Sequence, residues 1–259
     1  MNSMKTLRES LKKKKIIIFD IDGTITKSKM PIDKEMAKLL SALLLKKKVV
    51  LVSGEKYSLF KKQIVSKLSK SPLGLQNLIL LPTNAAMFYV YKDGKWTRLY
   101  NIKISKKEEE EILEQFHIAL KRIGFINPKH NHGKIIEYRG TEVVFSALGQ
   151  KAPLSEKSEW NKKHDVRLKI KNILERKLPG FDAKVAGLTS IDVIREGIDK
   201  AYGVRKIRKY FNARIKNILF VGDMIVPGGN DYPVVKTGVD YIKVNSPRET
   251  KRVIQSILS

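Results

Sequence analysis

Short runs of apolar residues, each followed by a polar turn, are the feature of this sequence that most limits its fold. Ile16–Phe19 is such a run, and Asp20 follows it directly. Val49–Val52 and Leu78–Leu81 repeat the pattern, and stretches with the spacing of amphipathic helices separate the three runs. Strands that are buried on both faces of a parallel sheet have this continuous apolar character. The alternation therefore predicts an α/β fold with a doubly wound, Rossmann-like parallel sheet.

The middle of the chain has a different pattern. Two predicted hairpins, Met87–Tyr100 and Ile135–Phe145, and a long predicted helix, Trp160–Leu178, replace the simple alternation. The alternation of buried strands and helices then resumes toward the C-terminus. We therefore expect a core domain made from residues 1–85 and 187–259, with an α+β domain of residues 86–186 inserted into it.

The composition excludes several functional classes. The 259 residues include no cysteine, which excludes a disulfide scaffold, thiolate zinc sites and thiol catalysis. No apolar run approaches the ~20 residues of a membrane-spanning helix. Residues 1–15 are polar and lysine-rich, and they lack the apolar centre of a secretory signal. We expect a soluble protein of the cytoplasm with no membrane partner.

The chain is strongly basic, because 52 lysines and arginines outnumber 26 aspartates and glutamates and give a formal net charge of +26. A basic face can bind nucleic acid by neutralising its phosphates. The lysines are spread along the sequence, however, and no aromatic-interleaved basic repeat accompanies them. We therefore interpret the charge as a lysine-rich surface and do not expect a nucleic-acid partner. Its positive field would still attract small anionic substrates.

The strongest chemical signal is the sequence Asp20-Ile21-Asp22-Gly23-Thr24, directly after the first predicted strand. Ligands of open α/β sheets bind beyond the carboxyl ends of the strands. Two carboxylates two residues apart can provide a nucleophile toward phosphorus and a general acid/base. The Thr24 hydroxyl can contact phosphate oxygens. The alternative is an ordinary exit from a strand into a loop, because Asp-Gly is common in turns.

Three further polar features follow other predicted strands. Ser53-Gly54 could hold a phosphate, and the Lys200 ammonium could pair with the nucleophile and a phosphoryl group. Asp223 could join Asp20 in binding Mg²⁺, a hard cation that prefers oxygen ligands. Taken singly, each feature has a simpler interpretation as a turn, one lysine among many or a flexible loop.

The order of these four features along the chain resembles that of the haloacid dehalogenase superfamily of phosphotransferases. The resemblance implies that Asp20 attacks the phosphoryl group to form an aspartyl-phosphate, and that Asp22 protonates the leaving oxygen. It also implies a set of phosphate contacts and a set of metal contacts. The phosphate contacts are Thr24, Ser53, Gly54 and Lys200. The Mg²⁺ contacts are the Asp20 carboxylate, the Asp22 carbonyl and Asp223, with Asn230 and Asp231 nearby in the metal loop.

The inserted segment lies where the IIB branch of that superfamily carries its C2-type cap domain. Within that branch the chain resembles the eukaryotic-type phosphomannomutases. Three stretches carry this resemblance: Ile136–Arg139, Ser190–Lys200 and Pro227–Asp231. The resemblance implies that Arg139 contacts the distal phosphate of a sugar phosphate, and that Ser190 and Asp192 face the sugar. It also implies a homodimer formed through the inserted domain.

The chain departs from the phosphomannomutase pattern at three positions where that family has arginines. These positions are Lys29, Gln150 and Lys157. Lysine cannot reproduce a bidentate guanidinium clamp, and glutamine carries no charge. A mutase must hold a bisphosphate intermediate while it reorients, whereas a phosphatase binds its substrate once. We therefore expect a phosphatase of small sugar phosphates. Phosphomannomutase activity is the alternative, and a non-catalytic nucleic-acid-binding protein is a further alternative.

Overall fold

The structure is a computed structural model that describes residues 9–27, 30–68, 71–128, 130, 132–162 and 165–259. The chain divides into two compact units. We call the first unit, residues 1–101 and 198–259, the core. We call the second unit, residues 102–197, the inserted domain.

The elements follow one another along the chain with short connections. The strands are β1 (Ile16–Asp20), β2 (Lys48–Val52), β3 (Leu78–Leu81), β4 (Met87–Lys92), β5 (Lys95–Asn101), β6 (Ile136–Tyr138), β7 (Glu142–Ser146), β8 (Phe181–Ala186), β9 (Ser190–Arg195), β10 (Ile218–Gly222) and β11 (Asp240–Lys243). The helices longer than one turn are α1 (Lys34–Leu44), α2 (Tyr57–Gln63), α3 (Lys106–Arg122), α4 (Leu154–Asn161), α5 (Asp165–Lys177), α6 (Lys200–Tyr210) and α7 (Pro247–Leu258). Residues 9–13 are also helical. Among the described residues, no helix is both long and apolar enough to cross a membrane.

The described strands of the core form one sheet in the order β11-β10-β1-β2-β3-β4-β5. The first five of these are parallel, and β4 and β5 are antiparallel. Every residue of β1, β3 and β10 is buried, as expected for strands covered on both faces. Ile17 and Phe19 pack into one apolar cluster, whereas Ile16 and Ile18 pack into another on the opposite face. The sheet therefore has two apolar faces.

The helices of the core run antiparallel to the strands they connect. Helix α1 begins after β1 and ends at Leu44, shortly before β2 begins at Lys48. Helix α6 likewise ends at Tyr210, shortly before β10 begins. The carboxyl edge of the sheet, where the parallel strands end, therefore lies beside the helix N-termini. The amino edge, where the strands begin, lies beside the helix C-termini.

The hairpin of β4 and β5 belongs to the core, which corrects the predicted boundaries. We expected the inserted domain to cover residues 86–186, but β4 pairs with β3 through Ile79 and Val90. At the other boundary, β9 pairs with β7 in the sheet of the inserted domain. The inserted domain therefore covers residues 102–197. A turn signal predicts a hairpin, but which sheet the hairpin joins depends on pairing with distant strands.

The inserted domain is an antiparallel sheet of four described strands, in the order β6-β7-β9-β8. Its core contains Phe116 of α3, Ile170 and Leu174 of α5, and Phe145 and Val193 of the sheet. All five side chains are almost completely buried. The two helices therefore cover one face of this sheet.

The long helix predicted for Trp160–Leu178 is two helices. Helix α4 ends at Asn161 and α5 begins at Asp165, while residues 163–164 lie outside the described residues. The sequence between Trp160 and Leu178 contains neither glycine nor proline. The local sequence therefore gives no sign of the break.

Candidate active site

Strand pairing in the core brings Asp20 and Asp223 to the same edge of the sheet. Asp20 is the last residue of β1, and Asp223 follows the last residue of β10. These strands are parallel neighbours, with Phe19 opposite Val221. Lys200 is the first residue of α6, which begins at the same edge because its helix runs antiparallel to the strands. The side chain of Asp199 caps this helix by accepting a hydrogen bond from the Tyr202 amide at 2.7 Å.

The buried Lys200 ammonium lies between two carboxylates. Its Nζ donates to Asp20 Oδ1 and to Asp231 Oδ1, both at 2.6 Å. The Lys200 and Asp231 side chains are completely buried, and that of Asp20 is 6% exposed. The second oxygen of Asp231 accepts a hydrogen bond from the Met224 amide at 3.0 Å. Since a buried charge is costly unless it is paired and hydrogen-bonded, these contacts fix Lys200 in place.

Asp223 joins Asp20 and Asp231 in a cluster of three carboxylates. Asp20, Asp223 and Asp231 each offer an oxygen, and the three oxygens lie within 4.8 Å of one another. The Thr24 hydroxyl lies 3.3 Å from Asp20 Oδ2 and 3.4 Å from Asp223 Oδ1. Three ionised carboxylates and one ammonium carry a net charge of −2. A divalent cation with a preference for oxygen ligands would balance this charge, so the residues fit Mg²⁺.

The same cluster shifts the pKa of each of its members. Burial raises the pKa of Asp20 and of Asp231 above the usual range, although the positive charge of Lys200 opposes the rise. Burial, and then the charge of Asp231, raises the pKa of Asp223. Burial alone would lower the pKa of Lys200, but Asp20 and Asp231 together raise it. The carboxylates therefore need more positive charge than Lys200 supplies.

Two glycines allow the backbone to approach these carboxylates closely. Gly23 has a φ of +77°, and a Cβ at this position would lie 2.4 Å from Asp223 Oδ2. A Cβ at Gly222 would lie 2.5 Å from Asp231 Oδ2. Both contacts are far shorter than van der Waals distance. Any larger residue at either position would displace a carboxylate of the cluster.

Two of the predicted metal contacts add no side chain to this cluster of described carboxylates, namely Asp22, which is predicted to contribute its backbone carbonyl, and Asn230. Asp22 is half-buried in the loop after β1, where its backbone forms an isolated β-bridge with that of Thr26. Asn230 is exposed, whereas the next residue, Asp231, is completely buried. The sequence grouped Asn230 and Asp231 as neighbours in a metal loop. The structure separates them, because only Asp231 turns inward to Lys200.

The Ser53-Gly54 turn is held by a segment that the sequence analysis missed. Ser53 is buried, and its Oγ accepts a hydrogen bond from the Glu55 amide at 3.2 Å. The Asn84 amide donates to the Ser53 carbonyl at 2.8 Å. Thr83, Asn84 and Ala85 all have positive φ, a strained backbone for residues other than glycine. Of these three residues, only Asn84 is of a type that favours positive φ, so the sequence gives little indication of this turn.

The predicted substrate contacts of the inserted domain lie on its sheet and on α4. The guanidinium of Arg139 donates to Glu137 at 2.9 Å and to Glu142 at 3.2 Å. Ser190 and Asp192 share one face of β9, opposite the face that carries the buried Ile191. The remaining predicted contact from the phosphate clamp, Lys29, lies outside the described residues.

Gln150 and Lys157, the two described positions at which the sequence analysis expects a weakened clamp, lie close together. The Lys157 ammonium donates to the backbone carbonyl of Gln150 at 2.9 Å. The Gln150 Nε2 is buried and has no hydrogen-bond partner among the described residues. A buried donor without a partner is costly unless a ligand oxygen supplies one.

The family model described as Eukaryotic phosphomannomutase matches residues 36–259 of this chain. The chain belongs to the eukaryotic phosphomannomutase family. A phosphomannomutase of Encephalitozoon cuniculi is 29% identical over 253 residues, which cover 95% of this chain and 94% of that protein. Phosphomannomutase 2 of Dictyostelium discoideum is 27% identical over 252 residues, which cover 95% and 97%. The predicted family is thereby confirmed.

Solved structures of lower identity share the fold. An IMP-nucleotidase of Plasmodium falciparum matches with a TM-score of 0.67 and 16% identity, over 95% of this chain and 68% of that one. A trehalose-6-phosphate phosphatase of Aspergillus fumigatus matches with a TM-score of 0.62 and 13% identity, over 98% and 97%. These likenesses confirm the predicted fold, an α/β core with an inserted domain. This phosphomannomutase-family chain is therefore a phosphoryl-transfer enzyme of the haloacid dehalogenase type.

Proposed function

We propose that this chain is a phosphomannomutase, which moves a phosphoryl group between the 1- and 6-positions of a hexose. The observation that carries the proposal is the family match over residues 36–259, together with the carboxylate cluster around Lys200. The two phosphomannomutases named above match this chain over nearly their whole length. The sequence analysis favours a sugar phosphatase, and the family match now favours the mutase instead.

In the proposed reaction, the Asp20 carboxylate attacks phosphorus and the bond from phosphorus to the sugar oxygen breaks. Asp22 gives its proton to the leaving oxygen, and the phosphoryl group stays on Asp20 as an aspartyl-phosphate. A hydroxyl of a hexose monophosphate then attacks this phosphorus, Asp22 accepts its proton, and Asp20 is regenerated beside a hexose bisphosphate. The bisphosphate reorients, and its other phosphoryl group passes to Asp20. The Lys200 ammonium, which donates to Asp20 Oδ1 at 2.6 Å, favours the ionised form of the nucleophile and orients it.

The proposed phosphate contacts lie in the loops that follow the strands. The proposed phosphate donors after β2 are the Ser53 hydroxyl and the Gly54 amide, in a turn whose Ser53 carbonyl accepts a hydrogen bond from the Asn84 backbone amide. The Thr24 hydroxyl lies between two carboxylates. Fixed donors of this kind stabilise charge that develops on the transferred group. Mg²⁺ would be held by the carboxylates of Asp20, Asp223 and Asp231 and by the Asp22 carbonyl, with Asn230 nearby in the loop, and would neutralise charge on the phosphoryl oxygens.

The proposed role of the inserted domain is to recognise the rest of the substrate. Arg139 would contact the phosphate that does not react, and its two glutamate partners orient the guanidinium. Ser190 and Asp192, on one face of β9, would contact the sugar. Gln150 and Lys157 would supply weaker phosphate contacts in place of arginines. A homodimer formed through this domain and a cytoplasmic location stay predictions.

A sugar phosphatase is the second candidate function, and one observation favours it. The Lys157 ammonium is bonded to the Gln150 carbonyl, in a region where the family has two bidentate arginines. A weakened clamp would bind the acceptor hexose phosphate too weakly for its hydroxyl to attack the aspartyl-phosphate. Water would then hydrolyse the aspartyl-phosphate left on Asp20.

A paired assay separates the two functions. Purified protein with Mg²⁺ receives mannose 1-phosphate or glucose 1-phosphate, with and without a hexose bisphosphate, and both free phosphate and the 6-phosphate are quantified. We expect isomerisation that depends on the bisphosphate and exceeds phosphate release. Phosphate release without isomerisation would support the phosphatase instead. If neither product formed while the protein was folded and bound Mg²⁺, hexose phosphates would be the wrong substrate class.

A further inference from the structure

A second charged site lies at the amino edge of the core sheet. A cavity of about 470 Å³ opens there, beside the starts of β1 and β2. Its lining includes Lys15, Lys46, Lys47, Lys48, Asn77 and Phe211. The volume lies within the range of pockets that bind small molecules. The five residues of β1 separate this cavity from Asp20 by roughly 13 Å, so it is distinct from the candidate active site.

The positive charge of this cavity is not neutralised by carboxylates. The described residues that line it include no aspartate or glutamate. In the described part of the chain, none of the four lysines forms an ion pair, although Lys14 next to them pairs with Asp240. Burial, and then the charge of Lys46, lowers the pKa of Lys47. The lysines therefore repel one another at a site that an anion would stabilise.

The contacts that these lysines do make are with neutral oxygens. Lys47 donates to the Lys12 carbonyl at 2.6 Å, and Lys46 donates to the Leu258 carbonyl at 3.2 Å. Lys48 donates to the Asn77 side-chain oxygen at 2.5 Å, and its ammonium lies 5.8 Å from the centre of the Phe211 ring. Neutral partners orient the ammonium groups and leave their charge in place.

Stabilisation of a helix C-terminus accounts for only some of the lysines at this cavity. Helix α1 ends at Leu44 beside the cavity, and cations stabilise a helix C-terminus through its dipole. That effect falls off within the last turn and is shared by one or two residues. It does not require a concave site. The helix dipole therefore does not account for four lysines gathered beside one cavity.

We propose that this cavity binds the phosphate backbone of a single-stranded nucleic acid. A polymer fits better than a small anion because exposed cations continue beyond the cavity, at Lys12, Lys13, Arg214 and Lys216. Tyr210, which is half exposed, offers a ring on which a base can stack. The fold thus gathers lysines that are scattered in the sequence.

The test measures binding of a fluorescein-labelled oligouridylate by anisotropy over a range of salt concentrations. Lys15 and Lys46 are both exposed, so the double variant K15Q/K46Q is expected to fold. It should bind about tenfold more weakly than the wild type, and the slope of log K against log salt should fall by about 1.4. The charge-conserving K15R/K46R should keep wild-type binding. Turnover of sugar phosphates should be unchanged in both variants.

The matched control removes the same charge from a different basic cavity. In the inserted domain, Lys169 and Lys177 line a cavity of about 540 Å³, and both are exposed. K169Q/K177Q should therefore bind the oligonucleotide within about twofold of the wild type. Equal weakening in the two double variants would overturn the proposal, as would no binding at low salt. Competition by inorganic tripolyphosphate at the same concentration as the oligonucleotide would also overturn it in favour of a small-anion site.

Discussion

The two edges of the core sheet bear opposite kinds of charge. At the carboxyl edge, a buried lysine pairs with two buried carboxylates, and the half-buried Asp223 completes a cluster of three carboxylates. At the amino edge, four lysines line a cavity whose described lining contains no carboxylate. The strands between the edges are the same, so the sheet itself does not impose this difference.

The difference shows that a buried charge needs hydrogen-bonded partners of opposite charge, whereas an exposed charge does not. Lys200 is completely buried and can remain charged only because Asp20 and Asp231 accept its hydrogen bonds. Lys15 and Lys46 are exposed, so water solvates their charge and no partner is needed. The carboxyl edge is therefore a rigid, coupled site, whereas charges at the amino edge can be changed one at a time. The predictions below test this contrast, from the largest expected effect to the smallest.

Replacing Asp20 with asparagine should abolish turnover and spare the fold. The amide oxygen can still accept the hydrogen bond from Lys200, but an amide cannot attack phosphorus. Turnover should fall by about 10⁴-fold or more, as for other catalytic nucleophiles. The measurement is product formation by the purified variant, with circular dichroism as the check on folding. K15Q/K46Q at the amino edge is the control and should keep wild-type turnover. Near-normal activity of D20N would show that Asp20 is not the nucleophile.

Lys200→Met should destabilise the protein strongly. It leaves Asp20 and Asp231 buried without their cation, a change that costs about 3–5 kcal/mol. Lys46→Met at the amino edge removes the same charge from a solvated site and should change stability by no more than ~0.5 kcal/mol. Urea denaturation of both variants at neutral pH, without divalent cations, measures the contrast. Similar losses in the two variants would contradict the view that only the carboxyl edge is coupled.

Much of the carboxyl edge could be predicted from the sequence. Asp20, Thr24, Ser53 and Asp223 each follow a buried parallel strand, and the ends of such strands necessarily meet at one edge. The burial of Asp231 under Lys200 could not be predicted. It depends on how the loop after β10 folds back, which glycine and asparagine residues permit but do not specify.

The amino edge could not be predicted, for a related reason. Lys15 and Lys48 are far apart in the sequence, and they meet because β1 and β2 pair with Ile16 opposite Lys48. The sequence analysis therefore treated the lysines as scattered surface charge. The hairpin of β4 and β5 was assigned to the wrong domain in the same way, since its signal was local and its partner β3 was not.

Gly23→Ala should impair catalysis more than stability. The new Cβ would lie 2.4 Å from Asp223 Oδ2, so Asp223 must move away from the cluster. A displacement of about 1 Å in a catalytic group costs about 100-fold in rate. The positive φ adds a strain of about 1–2 kcal/mol to the folded state. Gly94→Ala in the β4–β5 turn, also at positive φ but with no atom within 4 Å, is the matched control. It should lose similar stability and keep full turnover.

Mg²⁺ should stabilise the protein, and the stabilisation should fade in acid. At about 100 times its dissociation constant, a ligand of the folded state adds about 2.7 kcal/mol. Because burial raises the pKa of Asp20, Asp223 and Asp231 in the folded state, their ionised forms destabilise it above those pKa values. That penalty is present at neutral pH and is relieved as protons bind on acidification. Protons and Mg²⁺ therefore compete for the same oxygens.

Thermal melts with and without Mg²⁺ between neutral pH and pH ~4 measure this competition. The increase in melting temperature should be largest at neutral pH and should shrink as the pH falls. Asp223→Asn should reduce the increase, and Lys46→Gln should leave it unchanged. An equal increase in all three proteins at every pH would mean that Mg²⁺ binds elsewhere.

Asp33→Ala should have the smallest of these effects, because Asp33 lies at the carboxyl edge but outside the buried cluster. Its side chain caps α1 by accepting from the Met36 amide at 2.8 Å, and it also accepts from Lys251 at 2.8 Å. Loss of a helix N-cap costs about 1 kcal/mol. Glu35→Ala is the control, since Glu35 also bonds Lys251 but caps nothing, and it should cost only a few tenths of a kcal/mol.

The pH dependence of Asp33 should have the opposite sign to that of the buried cluster. The hydrogen bonds from Lys251 and from the Met36 amide lower the pKa of Asp33 in the folded state below its usual value. Its contribution is therefore complete above the unfolded pKa of ~3.9 and is lost as the pH falls through the folded value. The stability difference between wild type and D33A in urea should hold from neutral pH to about pH 5 and shrink below pH ~4. If the stability difference between wild type and D33A grew on acidification, Asp33 would behave as a buried carboxylate. The contrast between solvated and buried carboxylates at the carboxyl edge would then be wrong.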